Sequence, residues 1–367
     1  KFSSKGSIIS YKEPRVILIL SSKLYNLNAD LKASENNVEI GSFKGFFKNT
    51  AFNISGSIDT TQKDNPLFSL NLDITTNPKD LAADLPDKFK DFINKFELDG
   101  LCDITGTLVA SPANIRNWEM NLEVTAPELR LLNYRLEDLY VDVEQANKLL
   151  KIKKAAATVY NGKIELNILS NLAPADPAFN MEVSASNIDL SKLKQDIENW
   201  EEKDISGLFS LTAQAKGTLK DLNNLVSKGS ASIKEGWLWE LNLFKGLGEF
   251  LFTPSFKKVV FKEASADFEI ENQVIYSKNA LFKSQEMNLL AQGNIGFDKK
   301  LQLLITTEIH PKLLQSYRDP RRFTSFVTGN LLLVRAYGTL VEPRYHLSTV
   351  PQKMLDEIRD YFLGRKR

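Results

Sequence analysis

Polar and apolar residues alternate one by one along much of this chain. Between residues 207 and 219, for example, Phe209, Leu211 and Ala213 alternate with polar residues. Alternation with a period of two predicts a β-strand that has one apolar face and one solvated face. Similar stretches recur about every 10 to 14 residues, which is the spacing of an antiparallel meander. The pattern therefore predicts a mainly β protein.

Helical periodicity interrupts this pattern in three places. Apolar residues at helical spacing predict amphipathic helices at residues 78–96, at 190–200 and from Pro311 onward, and Pro86 marks the start of a second helix within the first of these. The predicted strands cover residues 11–20, 24–33, 38–46, 51–58, 68–74, 100–109, 118–125, 129–133, 136–143, 151–160, 163–170, 178–185, 208–217, 229–233, 264–271, 273–277, 288–296 and 301–308.

The tripeptide Gly-Thr-Leu indicates an internal repeat. It begins at Gly106, Gly217 and Gly338, and the first two copies are 111 residues apart. The same offset relates residues 66–72 to residues 177–183. This period exceeds those of the common solenoids, so the repeating unit contains several strands. We predict β-groove units at 1–97, 98–203 and 204–350, the first two with a closing helix, followed by an amphipathic basic helix at 351–367.

A sheet of this predicted length has a large apolar face to cover. At about 4.8 Å per strand, some 18 to 20 strands would extend roughly 90 Å. The predicted helices are too short to cover such a face, whereas twist and coiling are the natural response of a long antiparallel sheet. We therefore predict an elongated, curled antiparallel sheet, a taco-like groove built from repeated multi-strand units with short amphipathic helices.

Composition and charge narrow the classes of function. The chain has 47 Lys and Arg against 46 Asp and Glu, a formal net charge of +1, which does not favour nucleic acid as a partner. Hydrophobic residues make up 43% and charged residues 25%, as in a folded protein. Cys102 is the single cysteine, so an intrachain disulfide is excluded, and we interpret it as a small strand residue.

Few residues suggest catalytic chemistry. His310 and His346 are the only histidines and lie far apart in sequence, which disfavours a histidine-centred triad or a multi-histidine metal site. Asp and Glu are numerous but scattered over polar strand positions, where solvation accounts for them. We expect no enzymatic activity, no catalytic residues, no bound metal and no cofactor. A hydrolase of envelope polymers is the least favoured hypothesis, and two carboxylates about 5 to 9 Å apart in a cleft would revive it.

A groove lined by aliphatic and aromatic side chains suits acyl chains, because each sheltered methylene contributes about 0.8 kcal/mol. Polar head groups would remain at the open seam of such a groove. The residues predicted to line it are the apolar members of the alternating strands: Phe68, Leu70, Leu72, Ile74, Ile104, Leu122, Val124, Ile164, Leu166, Phe179, Met181, Val183, Phe209, Leu211, Ala213, Phe268, Ile270 and Leu303.

Two further segments are strongly apolar on one side. Residues 237–252 form a run that favours either a helix plugging the end of the sheet core or a contact with lipid or a partner. Residues 351–367 predict an amphipathic helix with a basic end, which suits a membrane surface or a cap over the last strand. The residues predicted to make a membrane or partner contact are Trp237, Trp239, Phe244, Phe250, Ile358 and Phe362.

The last third of the sequence resembles a known family. Residues 205–219, the segment Gly-Trp-Leu-Trp-Glu-Leu-Asn-Leu from Gly236, residues 264–270, and Gly-Thr-Leu-Val-Glu-Pro-Arg-Tyr from Gly338 look like the C-terminal region of AsmA-like proteins. That family belongs to the repeating β-groove lipid-transfer proteins, to which TamB is also similar. The resemblance covers about 140 residues well. It implies a bacterial envelope protein, anchored in the inner membrane by an N-terminal helix, whose groove projects into the periplasm.

The longest uncharged apolar run near the start covers only residues 16–20, far short of the roughly 20 residues needed to cross a bilayer. The chain also begins at Lys1 rather than at Met, so we expect that any signal or anchor lies in a segment missing from it.

Two functions follow from the groove and the resemblance. We expect a protein that binds and conducts phospholipid along a hydrophobic β-groove between the inner and outer membranes. Its partners would be phospholipid acyl chains, an inner or outer membrane surface, and envelope proteins at either end. The alternative is a periplasmic scaffold that assists outer-membrane protein assembly by pairing its sheet edge with client strands.

Overall fold

The computed structural model describes residues 3–8, 15–21, 25–62, 64–82, 87–112, 115–197, 200–218, 221–238, 242–251, 261–285, 287–309 and 331–349. The chain divides into two compact units. Unit 1 comprises Lys1–Val159 and Lys163–Met181, and unit 2 comprises Tyr160–Gly162 and Glu182–Arg367. The repeat boundaries after residues 97 and 203 stay predictions, because compactness does not test sequence repetition.

Unit 1 is an antiparallel meander in which each strand from β1 to β10 pairs with the next one along the chain. Its described strands are β1 (Ser3–Ile8), β2 (Arg15–Ser21), β3 (Tyr25–Ala33), β4 (Asn37–Phe47), β5 (Thr50–Asp59), β6 (Leu67–Thr76), β7 (Cys102–Ala110), β8 (Glu119–Leu131), β9 (Tyr134–Ala146), β10 (Leu149–Val159) and β11 (Gly162–Asn171).

Unit 2 continues the same connectivity, and each strand from β13 to β20 pairs antiparallel with the next. Strand β12 (Ala178–Asp189) begins in unit 1 and ends in unit 2. The other described strands of unit 2 are β13 (Ser206–Thr218), β14 (Val226–Trp237), β15 (Glu263–Glu271), β16 (Val274–Lys283), β17 (Met287–Gly296), β18 (Lys300–Ile309), β19 (Leu331–Thr339) and β20 (Pro343–Ser348).

The strands of the described residues are assigned to one open antiparallel sheet, and short helices lie between some of them. The predicted fold class, a mainly β antiparallel sheet with short helices, is confirmed. The helices are α1 (Pro78–Leu81), α2 (Asp87–Lys95), α3 (Leu190–Leu193) and α4 (Asn242–Leu251), with 3₁₀ turns at Ile115–Asn117, Lys194–Asp196 and Leu222–Asn224.

The two sequence matches of the predicted repeat fall on equivalent strands. One match joins β6 to β12, and the other joins β7 to β13. A helical segment follows both β6 and β12, and each begins with a side-chain cap. The side chain of Asn77 accepts a hydrogen bond from the Lys79 amide at 3.1 Å, and that of Asp189 accepts one from the Ser191 amide at 2.9 Å. Helix α2 begins at Asp87, directly after Pro86, as predicted.

Strand β8 corrects one sequence prediction. Residues 118–125 and 129–133 were predicted to form two strands. Pro127, which lies between them, cannot donate a hydrogen bond to a neighbouring strand. The structure has one continuous strand instead. On β9, Asp138 adopts a positive φ of 51°, and pairing resumes at Glu128 and Glu137. The local irregularity of β9 therefore accommodates the proline.

Helix α3 is shorter than predicted. The pattern at residues 190–200 predicted one amphipathic helix, but α3 ends at Leu193 and a 3₁₀ turn follows it. Leu190 is buried, and Leu193 and Trp200 pack against the same core. The apolar periodicity therefore indicates which side chains meet the core, although regular α-helix covers only the first turn.

The sequence pattern did not predict β1, β19 or β20. In β19 the cause is visible in the structure, since Leu331, Leu332, Leu333 and Val334 are all buried. A strand that is buried on both faces has a continuous apolar run in place of alternation. The predicted helices from Pro311 and at 351–367 lie outside the described residues.

The largest described core lies in unit 2, where α4 packs on one face of strands β17–β20. Phe244, Leu247 and Leu251 of α4 are buried against this face. Tyr345 of β20 fixes the helix at its beginning, because its hydroxyl donates to the Leu243 carbonyl at 2.7 Å. The strand residues of this core are Leu289, Ala291, Leu301, Ile305, Leu332, Val334, Ala336 and Leu347.

Candidate functional site

Paired positions of β3–β10 form two apolar rows across the sheet of unit 1. Residues directly opposite each other in antiparallel strands carry their side chains on the same face. We call this face, defined by the two rows, the apolar face of unit 1. The first row is Ala29, Phe43, Ile54, Leu72, Gly106, Leu122, Val143 and Ile152, and the second is Leu27, Gly45, Phe52, Ile74, Ile104, Val124, Val141 and Ala155.

The burial of the rows distinguishes this face from a packed core. Ala29 is buried, but every other residue of the two rows is half-buried. Residues next to them in sequence, such as Asn71, Thr107 and Asn121, are exposed. Neighbouring side chains on the same face therefore shield the rows from each side, while the described residues do not cover them as α4 covers its strands in unit 2.

The sequence-predicted groove residues of unit 1 follow this arrangement. On β6, β7 and β8 the register places them on the apolar face, and all of them are half-buried. Those on β11 and β12 keep the same alternation of exposure, and among them Phe179 is buried at 7% exposure. These residues are Phe68, Leu70, Leu72, Ile74, Ile104, Leu122 and Val124 on the first three strands, and Ile164, Leu166, Phe179 and Met181 on the last two.

Sequence reasoning missed about two thirds of the apolar residues in the two rows. Phe43 and Phe52 belong to the face and stack on each other with ring centroids 5.1 Å apart. Ile54 lies opposite Leu72, and Val143 lies opposite Leu122. Glycine stands at two row positions, Gly45 on β4 and Gly106 on β7, which weakens the apolar alternation in those strands. The strand at 136–143 was predicted, and the alternation of Val141 and Val143 with acidic residues could have identified these two as lining residues.

Polar side chains buried at the margins of the sheet have partners, so they leave the apolar character of the surface intact. The hydroxyls of Thr50 and Thr76 lie 2.7 Å apart and hydrogen-bond to each other. The Gln145 amide nitrogen donates to the Trp118 carbonyl at 2.9 Å. Ser170 donates to the Ala178 carbonyl at 3.0 Å. Because a buried polar group without a partner costs free energy, these bonds keep the surroundings of the rows favourable for hydrocarbon.

The opposite face of the same strands is polar and charged. One row there consists of Asp73, Thr105, Glu123 and Asp142, paired across β6–β9. Lys153 of β10 forms an ion pair with Glu144 at 2.9 Å, and its hydrogen bond lowers the pKa of that carboxyl. Exposed pairs of this kind contribute little stability, so we assign this face to solvation.

A small polar cluster holds the helical connection beside β7. Asp99 accepts hydrogen bonds from the Asn77 amide at 2.8 Å and from the Lys79 ammonium at 2.7 Å. The bond from Asn77, followed by that from Lys79, lowers the pKa of Asp99. Lys79 is exposed and Asn77 and Asp99 are half-buried, and each of these groups has a partner, so the role of the cluster is to place α1.

Unit 2 carries a second half-buried apolar surface on β13–β15. Phe209 lies opposite Ile233, Leu211 opposite Ala231, and Ala213 opposite Gly229. Gly229 in turn lies opposite Phe268, whose ring occupies the space above the glycine. The predicted groove residues Leu211, Ala213, Phe268 and Ile270 are half-buried here, and Val183 is half-buried on β12.

Two predicted groove residues of unit 2 lie beside the covered core. Phe209 and Leu303 are only partly buried, but they pack against the cluster that includes α4. Phe209 lies on β13, at the border with the covered part of the sheet, whereas Leu303 lies on β18 within that part. In unit 2, the half-buried surface therefore ends where the helix begins to cover the sheet.

Helix α4 corrects the prediction of a membrane or partner contact. Phe244 is only 4% exposed, and its ring lies 5.0 Å from that of Phe261 and 4.8 Å from that of Phe282. Phe250 is half-buried and stacks on Tyr345 at 5.8 Å. The apolar run at residues 237–252 thus places its described helix in the core of unit 2, because its side chains fill space over β17–β20.

The remaining predicted contact residues are not brought together in the described structure. Trp237 is half-buried at the end of β14, and its indole nitrogen is buried without a hydrogen-bond partner. Trp239, Ile358 and Phe362 lie outside the described residues.

The groups with potential chemistry are isolated in the described part of the chain. Cys102 is buried at 3% exposure against Ala126 and Leu129, and burial raises the pKa of its thiol. His346 is exposed on β20, and His310 lies outside the described residues. Among the described residues, no three His, Cys, Asp or Glu side chains are grouped as metal ligands would be.

None of the helices in the described residues has the length and apolar character needed to cross a bilayer. No protein-family model, curated protein or solved structure matches this chain.

Proposed function

We propose that this protein binds phospholipid by sheltering acyl chains on the apolar face of unit 1. The observation that supports this proposal is the pair of apolar rows across β3–β10, half-buried and uncovered by the described residues. Apolar surface of this extent is unfavourable in water, and soluble proteins rarely leave it without a partner or ligand.

The dimensions of the face suit acyl chains. Eight strands at about 4.8 Å spacing place the ends of each row roughly 34 Å apart. The hydrocarbon core of a bilayer is about 30 Å thick, so a single acyl chain spans about half of that. Each row could therefore hold about two acyl chains end to end. A row of similar side chains has no single deep pocket, so a chain could shift along it one contact at a time.

We extend the proposal from binding to transport on the basis of the sequence resemblance. AsmA-like proteins are envelope proteins, and the same role here would be the conduction of phospholipid between the inner and outer membranes through the periplasm. Localisation in the bacterial envelope and an anchor preceding this chain belong to the same proposal.

Native mass spectrometry of the chain purified from a bacterial membrane extract, followed by lipid extraction, tests binding. We expect phospholipid at one or more per chain in the native protein. Leu122→Asp places a charge in the apolar row, and we expect it to reduce retained lipid at least about tenfold, because charges are poorly tolerated against acyl chains.

Thr107→Asp is the matched control, because Thr107 is exposed on the opposite face and lies opposite two uncharged residues, Asn71 and Asn121. Circular dichroism and the thermal midpoint verify folding of both variants. Lipid retained equally by Leu122→Asp and the native chain would contradict the apolar face as the binding site. A native chain free of lipid would instead favour the scaffold function.

A further inference from the structure

Two adjacent hairpin turns of unit 2 expose apolar side chains. The turn between β17 and β18 begins with Phe297, which is 47% exposed, and the turn between β19 and β20 contains Leu340 and Val341, at 36% and 60%. The turns are neighbours, because the Leu340 amide donates to the Lys299 carbonyl at 2.9 Å. Three apolar side chains thus lie in neighbouring turns at the same end of the strands. We call these side chains the apolar tips.

Two other turns between paired strands consist of polar residues, as turns usually do, whereas the β8–β9 turn exposes one apolar side chain, Leu132. The β9–β10 turn is Asn147-Lys148, and the β15–β16 turn is Asn272-Gln273. Asn and other small polar residues are favoured in turns because they tolerate positive φ and bond the local backbone. The β15–β16 turn is in the same row as the apolar tips, since the Phe297 amide donates to the Gln273 carbonyl at 2.8 Å. Turn geometry alone therefore does not account for the apolar tips.

Aromatic and basic residues lie just behind the apolar tips. Tyr276 and Tyr337 are 44% and 46% exposed, and the register places both in one row across β16–β20 with Arg344. Tyr337 precedes Leu340 by three residues, roughly 10 Å along a strand. Tyrosines and basic residues are enriched at the level of lipid head groups, next to apolar side chains that enter the acyl region.

Charges at the turns include both signs. Lys300 forms an ion pair with Asp298 at 2.8 Å, and Glu342 lies in the second turn. Lys299 and Arg344 add two positive charges, so these five residues carry a net charge of +1. This balance gives anionic lipid a modest advantage over neutral lipid.

We propose that the apolar tips insert into the interfacial layer of an anionic phospholipid bilayer. Tyr276, Tyr337 and Arg344 then lie at the level of the head groups. Three side chains on two projecting turns offer far less than the roughly 800 Å² per partner of a stable protein interface, whereas a bilayer accepts separate insertions. The proposal concerns docking on a membrane surface and stands whether or not the apolar face of unit 1 retains lipid.

Val341→Cys, labelled with an environment-sensitive nitrobenzoxadiazole dye, gives a direct measurement. The sequence has one cysteine, Cys102, which is buried, so the introduced thiol is the accessible one for labelling. We expect a blue shift and an increase in fluorescence when vesicles of equal parts phosphatidylglycerol and phosphatidylcholine are added. Leu169→Cys, exposed on β11, is the control and should show neither change.

Partition measured by vesicle flotation quantifies the contribution of the apolar tips. We expect Phe297→Ser combined with Val341→Ser to lower the partition coefficient about tenfold or more, because two exposed apolar side chains lose their contact with lipid. Leu149→Ser combined with Leu169→Ser removes similarly exposed apolar residues from unit 1 and should leave partition unchanged. Circular dichroism verifies that both pairs of substitutions leave the chain folded.

Equal partition coefficients for the native chain and for the double variant Phe297→Ser, Val341→Ser would overturn the proposal. An unchanged dye signal with vesicles, together with concentration-dependent association of the native chain, would overturn it in favour of contact between copies. Leu122→Asp should dock as the native chain does, even where it loses retained lipid. A failure of docking and a failure of lipid binding are thereby distinguished.

Discussion

Gly106 lies in the middle of β7 with a φ of 139°, a conformation that side chains with a Cβ rarely adopt. Its neighbours in the apolar row are Leu72 and Leu122. A Cβ built on Gly106 would lie 2.0 Å from the carbonyl oxygen of Asn121, which is a backbone atom and cannot rotate away. The glycine therefore allows close approach of β8, a role that glycine often has inside strands.

Gly106→Ala should lower the free energy of unfolding by at least about 2 kcal/mol, through backbone strain and the clash with β8. Gly41→Ala is the matched control, because its nearest atom would be 3.5 Å away and its backbone has no such positive φ. We expect the control to change stability by less than about 1 kcal/mol. Urea unfolding followed by circular dichroism measures both, and equal stabilities would contradict the strain argument.

At the scale of single elements, α4 decides which part of the unit 2 sheet is covered. Its apolar side chains fill the space above β17–β20, and Tyr345 holds its first turn through the Leu243 carbonyl. Burial raises the pKa of Tyr345, which keeps the hydroxyl protonated and able to donate at ordinary pH. The covering of these strands and the exposure of β13–β15 thus depend on the placement of one ten-residue helix.

Leu247→Ala should lower the unfolding free energy by about 2 to 4 kcal/mol, because Leu247 is buried at 3% exposure between α4 and the sheet. Lys245→Ala, on the exposed side of the same helix, should change it by less than about 0.5 kcal/mol. Hydrogen exchange of the β17–β19 amides locates the effect. Unaltered protection of these amides in Leu247→Ala would show that α4 does not stabilise them.

At the scale of the whole molecule, two compact units carry apolar surfaces that differ in how they are covered. In unit 1 the rows across β3–β10 remain half-buried, and in unit 2 a helix covers part of the sheet. An anionic dye such as 1-anilinonaphthalene-8-sulfonate binds exposed apolar surface and is ordinarily excluded by folded proteins with packed cores. The lipid-free native chain should therefore bind this dye while folded, unlike most folded proteins.

We expect this dye to fluoresce with the delipidated, folded chain and to be displaced by added phospholipid. Leu122→Asp should bind less dye, whereas Thr107→Asp should bind as much as the native chain, since only the former lies on the apolar face. Fluorescence titration at a temperature well below the unfolding transition is the measurement. Dye binding that appears only as the chain unfolds would indicate that the apolar face is covered in the native state.

The sequence by itself determined the strand class, the approximate positions of most strands and the face on which residues such as Leu72 and Leu122 lie. A period of two is a local property, and any antiparallel partner preserves it. Helix starts at Pro78 and Asp87 were also locally encoded, because proline and capping residues act on their own neighbours. The same locality explains why β19 was missed, since its continuous apolar run reflects burial on both faces.

Only the tertiary structure decided which strand positions are directly opposite each other and which apolar residues are covered. Register joins residues far apart in sequence, so Ile54 and Val143 enter the rows only once β5 and β9 are paired. Phe244 and Leu122 are equally apolar in the sequence, yet one lies in a packed core and the other on a half-buried face. Coverage depends on where α4 packs, and packing sums contacts from the whole fold, which local pattern does not contain.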